Sequence, residues 1–189
     1  MIILLSWIMS IKNIKASFIL EEKVTVTSKN CIFKQDNVVY TINPHVKNLV
    51  NVTGIKRFEQ LEIAKKIIES KLKQKVVNVR IDNTFFSKKN YKNVDMVKVY
   101  KFMQNNSLFH VDYNVELFAG MYLKPKSSDY PTILFFRTGS YTIMGAKKKD
   151  ILLECQAFVN NLILMFNKHC IWNKLLVSDL SMFKWCTWK

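Results

Sequence analysis

One short motif occurs twice in this chain. Val-Thr-Gly-Ile-Lys at 52–56 has the same shape as Ile-Met-Gly-Ala-Lys at 143–147. Each copy closes an apolar, strand-like run and opens a helix-like one, with glycine at the junction and lysine just beyond it. A repeated strand-to-helix junction constrains the fold to two related units, a pseudo-twofold molecule built from one plan.

The rest of the chain is compatible with that constraint. Its 189 residues suffice for one domain of ordinary size or two small, intimately packed halves. Hydrophobic residues make up 49% and aromatics 13%, enough to bury a core and to exclude a disordered basic tail. Only four Gly and three Pro occur, so no low-complexity linker separates the halves.

Periodicity predicts helices over 57–73, with Phe58, Leu61, Ala64, Ile68 and Leu72 inward, and over 148–166, with Leu152, Cys155, Val159, Leu162 and Phe166 inward. A shorter helix is predicted over 94–104, with Val97, Tyr100 and Met103 inward. A first strand is predicted over 7–20. Another covers 76–83, where simple alternation puts Val77, Val79, Ile81 and Asn83 on one face and Asn78, Arg80 and Asp82 on the other. In 132–136, Thr-Ile-Leu-Phe-Phe, both parities are hydrophobic, so the sheet face away from the helices must also be covered, by another domain, a second copy or a ligand.

With 29 Lys plus Arg against 14 Asp plus Glu, the formal charge is +15, which favours a polyanionic partner: nucleic acid first, an anionic membrane surface second. Residues 1–9 are apolar but too short for a membrane span, and no basic segment precedes them as in a signal peptide. The four cysteines, Cys31, Cys155, Cys170 and Cys186, form no C-x-x-C pair, and His169-Cys170 with Cys186 is read as thiols rather than a metal site. No phosphate loop, nucleophile elbow or H-E-x-x-H helix is present, so neither an enzyme nor a cofactor or small-molecule substrate is expected.

Residues 113–150 carry Glu-Leu-Phe-Ala-Gly at 116–120, Phe-Arg-Thr-Gly at 136–139 and Ile-Met-Gly-Ala-Lys at 143–147. This run resembles the second half of the TATA-box-binding protein family. The resemblance implies an α+β fold, a TBP-like saddle of two repeats whose curved antiparallel sheet grips the DNA minor groove, with helices on the convex side. It divides the chain into a first repeat at 1–75, a second at 76–168 and a Trp-rich extension at 169–189.

By the same resemblance Asn13 and Asn83 are a candidate pair at the sheet centre, where an amide can donate to adenine N3 and thymine O2. Phe118 and Phe136 occupy the places of a wedging phenylalanine pair, which unstacks a base step and kinks the duplex. Thr53 keeps a base-edge threonine that Met144 replaces in the second repeat. Phe85 and Thr142 complete the DNA-facing set, and Lys56, Lys124 and Lys147 match phosphate-contacting places. Two departures accompany these matches: Ala119 replaces a proline, and counting back from Thr53-Gly54 puts His45 where the first repeat would carry a wedge.

The implied function is transcription initiation by binding and bending A·T-rich promoter DNA, with general transcription factors and RNA polymerase as protein partners and no membrane. The nucleus is the implied location, or a viral transcription site for a virus-encoded chain, an origin that the Asn, Lys and Ile richness suits. The alternative is a basic scaffold that keeps the fold without bending DNA. An unspecific binder of RNA or single strands is third.

Overall fold

The computed structural model describes residues 11–25, 27 and 32–167. The expected strand start at 7–10, Cys31 and the 169–189 extension with His169, Cys170 and Cys186 lie outside the described residues. The chain forms two compact units, Met1–Lys88 and Lys89–Lys189.

The first unit contains β1 (Ile11–Leu20), β2 (Ile32–Gln35), β3 (Val38–Ile42), β4 (Leu49–Ile55), α1 (Gln60–Leu72) and β5 (Val76–Lys88). Its strands are antiparallel in the order β2-β3-β4-β1-β5. Asp36 and Asn37, at φ 50° and 63°, close the β2–β3 hairpin with the paired left-handed residues that a tight two-residue turn needs. One sheet face is covered: Ile14, Ala16, Phe18, Tyr40, Ile42, Val50, Val52 and Ile55 are buried, together with Ala64 and Ile68 of α1. Phe33 stacks on Tyr40 at 4.6 Å, and the ammonium of Lys71 on α1 lies 5.6 Å from the Phe33 ring.

The expected alternation along β5 is broken twice. Lys15 pairs with Asn83 but the adjacent Ala16 with Ile81, so Asp82 is an extra residue. Ile19 pairs with Asn78 and Leu20 with Val76, which leaves Val77 as another. Each bulge resets the parity. Asn83 therefore shares the open face with Arg80 and Asn78, not the covered face with Val79 and Ile81, and Val77 is exposed while Val76 is buried.

The second unit contains α2 (Met96–Gln104), β6 (Phe109–Asp112), β7 (Gly120–Pro125), β8 (Thr132–Phe136), β9 (Tyr141–Met144) and α3 (Lys149–Phe166). Its strands run in the order β6-β7-β8-β9, again antiparallel. Met121, Leu123, Ile133, Phe135, Tyr141 and Ile143 face inward with Leu152, Cys155, Val159 and Leu162, the stripe expected on α3. Phe158 stacks on Phe109 at 5.3 Å. In α2 the inward stripe is Met96, Val99 and Met103; Val97, expected inward, is exposed. Met96, Val99 and Met103 recur at i, i+3 and i+7 and so share one helical face, which Val97 does not; Asp95 caps the helix, its side chain accepting from the Lys98 N–H.

The repeated motif has one local geometry in both units. Gly54 and Gly145 sit at φ 96° and 99°, values that side chains other than glycine rarely adopt. In each copy the residue after glycine, Ile55 or Ala146, is fully buried, and the lysine after that, Lys56 or Lys147, is exposed.

Candidate nucleic-acid interface

In each unit the strands turn one face to the helices and leave the other open. The two open faces differ in chemistry. In the first unit the cross-strand row Ile32, Thr41, Asn51, Ser17 and Arg80 runs through all five strands. Beside it lie Asn13 opposite Phe85 and Lys15 opposite Asn83, while Thr53 pairs with Val39 and Val39 with Lys34.

Asn13 is held by the repeated motif itself. Its Oδ1 accepts from the backbone N–H of Gly54 at 2.7 Å. A backbone N–H can only donate, so the amide oxygen is fixed at that end and the end left over is a pair of donors. Donors are what the A·T minor groove, with only acceptors on its floor, requires. Asn83 is exposed, and Phe85 is 38% exposed.

Sequence reasoning missed the polar cluster beside them. Ser17, 3% exposed, has its Oγ 2.5 Å from Asp82 Oδ2 and 3.2 Å from Asn51 Oδ1, and the shorter contact takes the one hydroxyl proton. Arg80 Nε donates to Asp82 Oδ1 at 3.0 Å. The acid is thereby neutralised on a face that would otherwise repel a phosphate chain. Asp82 reaches this cluster as the bulge residue: alternation groups it with Arg80 but does not bring it to Ser17 on the neighbouring strand.

The second unit offers an aromatic face. Phe118, 42% exposed, meets Phe136 edge to face at 6.0 Å and stacks on Tyr122 at 5.7 Å. Gly120 makes this closure possible: a Cβ there would lie 2.6 Å from the Phe118 ring, 2.8 Å from Leu134 Cδ1 and 2.9 Å from the Phe136 ring. Asn114 shapes the approach, its carbonyl accepting from the N–H groups of Leu117 and Phe118 and its side chain from that of Glu116. Tyr122, Leu134 and Thr142 form one cross-strand row, with Thr132 and Met144 beside it. Tyr122 was legible in principle, because it lies two residues beyond Gly120 on the same parity.

The lysines divide. Lys124 is exposed on β7 opposite His110. Lys56 and Lys147 follow the strand ends and line clefts instead: Lys56 with Ile11, Arg57, Phe58 and Glu59, Lys147 with Leu108, Tyr130, Lys148 and Ile151 in a cleft of about 540 Å³. The structure thus groups Asn13, Thr53, Asn83 and Phe85 on one open face, and Phe118, Lys124, Phe136, Thr142 and Met144 on the other. Among the described residues no cluster of three or more His, Cys, Asp or Glu could hold a metal, and no helix is long and apolar enough to cross a membrane.

His45 is not the counterpart of a wedge. It lies in the loop between β3 and β4, where its N–H donates to Asn43 Oδ1 at 2.9 Å. That loop spans 43–48, longer than the 137–140 turn of the second unit, so counting along the chain overshoots. The position matching Phe136 by strand pairing is Asn43 (Val39 opposite Thr53, as Thr132 is opposite Met144, then four residues on).

Residues 78–166 match the model of the family described as transcription factor TFIID, or TATA-binding protein. No curated protein matches the chain. Among solved structures, Methanococcus jannaschii TBP is similar at 18% identity and a TM-score of 0.58, covering 82% of this chain and 97% of that one. That match shows that the chain has the TBP-like α+β fold, as the sequence motifs implied.

Proposed function

We propose, from the match of residues 78–166 to the TATA-binding-protein family and from the TBP-like fold, that the chain is a divergent member of that family of transcription factors and that it binds A·T-rich promoter DNA through the minor groove and bends it to begin transcription. The observation that carries this reading is the pairing of Phe118 with Phe136 over Gly120 on an open, partly apolar sheet face. Two rings held at a strand end and exposed to solvent cost stability unless something covers them. A base step opened by their edges covers them, and the larger surface buried by a wrapped duplex offsets an unstacking cost of a few kcal/mol.

Asn13 and Asn83 donate to the groove floor, Phe85, Thr53, Thr142 and Met144 line it, and Lys124 neutralises phosphate. Lys56 and Lys147 act from the strand ends. Ile63 on α1 and Leu153 and Leu164 on α3 are exposed apolar residues on the helical side, suited to general transcription factors or polymerase. The nucleus, or a viral transcription site, is where such a factor works. No catalytic role is proposed.

The test is a duplex titration comparing an A·T-rich with a G·C-rich site at several salt concentrations. Tighter A·T binding, with a log–log salt slope that is reduced by about 1 for Lys124→Ala, supports the reading. Equal affinity for both duplexes, or higher affinity for single strands, contradicts it.

A further inference from the structure

We infer that the chain opens one base step per bound duplex, through its second unit alone, and that Asn43 is the residue that withholds a second wedge. This rests on the minor-groove reading above and adds to it which unit opens the duplex.

The two hairpins can be superposed residue by residue from their pairing. Thr132 faces Met144, the residue before Gly145; Val39 faces Thr53, the residue before Gly54. The same cross-strand bond recurs four residues on: the N–H of Phe136 donates to Ser140 O at 3.0 Å, and the N–H of Asn43 to Leu49 O at 2.8 Å. Asn43 therefore holds the place that Phe136 holds. Its side chain is committed to its own loop, Oδ1 accepting from the N–H groups of His45 at 2.9 Å and Val46 at 3.0 Å. Driving that amide between bases would break both bonds and strand polar atoms in an apolar stack, with no ring surface to offset the opening.

Its neighbours fail in the same way. The position of Tyr122 is taken by Ile32 and that of Leu134 by Thr41, so among the described residues neither the Tyr122 ring nor the Phe136 ring has a counterpart. Among the described residues of the first unit, the other aromatic rings lie away from the β3–β4 hairpin end or are buried: Phe33 stacks on Tyr40 toward α1, Phe18 and Phe86 are buried, Phe58 lines the Lys56 cleft, and Phe85, 38% exposed on the open face, lies in β5 opposite Asn13. What this unit presents instead is amide, hydroxyl and guanidinium: Asn13, Asn51, Thr53, Arg80 and Asn83.

The aromatic unit selects the step that opens most easily, a pyrimidine–purine step such as TA or CA.

The experiment places 2-aminopurine, whose fluorescence rises on unstacking, at each adenine of an A·T-rich duplex in turn and titrates the full-length chain. One bright position is expected. Phe136→Ala and Phe118→Ala should each darken it by several-fold while the circular dichroism spectrum is unchanged, and Asn43→Ala should leave it bright. Two separated bright positions in the wild type, or one that survives both Phe substitutions, overturn the inference while leaving A·T binding intact. Absence of A·T-dependent binding overturns the minor-groove reading and the inference with it.

Discussion

Phe118 and Phe136 meet edge to face at 6.0 Å across the bare backbone of Gly120. The glycine is a packing requirement for the pair, since the nearest atoms to an added methyl are ring and side-chain ends that would have to part. Gly120→Ala should cost folding only about 1 kcal/mol, because flexible side-chain ends can shift. It should cost DNA bending much more. Urea denaturation and the end-to-end distance of a bound duplex, measured on the same variant, separate the two effects.

Asn13 allows a substitution that divides its two ends. Asn13→Asp keeps an oxygen to accept from Gly54 N–H and removes both donors. Stability should stay within about 1 kcal/mol of the wild type. Affinity for an A·T-rich duplex should fall by roughly 10- to 100-fold, the scale of one good base contact. Asn13→Ala should weaken both, because it also strands the Gly54 donor.

The two motif glycines share a conformation but not their surroundings. A Cβ on Gly54 would lie 2.6 Å from the carbonyl oxygen of Asn37, a backbone atom that cannot rotate away, whereas on Gly145 the nearest atom is 4.0 Å distant. Gly145→Ala should destabilise by about 1–2 kcal/mol from strain alone. Gly54→Ala adds the clash and should cost roughly 2–5 kcal/mol. Chemical denaturation of the two variants side by side checks the order.

Much of this architecture is legible in the sequence, for physical reasons that also mark where legibility stops. The α3 stripe can be read because Leu152, Cys155, Val159 and Leu162 recur at helical spacing and all four are buried. The Phe118 and Phe136 pair is legible through the family resemblance that Glu-Leu-Phe-Ala-Gly at 116–120 and Phe-Arg-Thr-Gly at 136–139 carry. Simple alternation puts Asn83 on the wrong face because Asp82 and Val77 are bulge residues, and one extra residue inverts everything beyond it. Chain distance picks His45 in place of Asn43 because hairpin pairing sets equivalence, and the loops differ in length. Ser17, Asn51 and Asp82 escape a linear reading since their cluster joins three strands.

Alkaline pH should unfold the second unit before extreme values are reached. Burial, and then the charge of Glu154, push the Cys155 thiol from its ordinary 9.0 to about 12. Burial, then the charge and hydrogen bond of Glu154, raise Tyr130 from 10.0 to about 12, and burial raises Tyr141. All three groups are neutral in the fold, and their folded values lie above the unfolded ones. The stability they contribute is fully present below pH 9 and is lost as pH rises toward 12. The urea midpoint should therefore fall steeply between pH 9 and 12, with a shallower fall in Cys155→Ala. A midpoint that is flat across that window would contradict this assignment.

The most direct measurement uses a duplex carrying a fluorophore at each end. Addition of the wild-type chain should raise energy transfer on an A·T-rich site, leave a G·C-rich control unchanged, and lose the effect in Phe136→Ala. Binding of both duplexes alike, without bending and with affinity governed by salt alone, would contradict the account and leave a basic scaffold in its place.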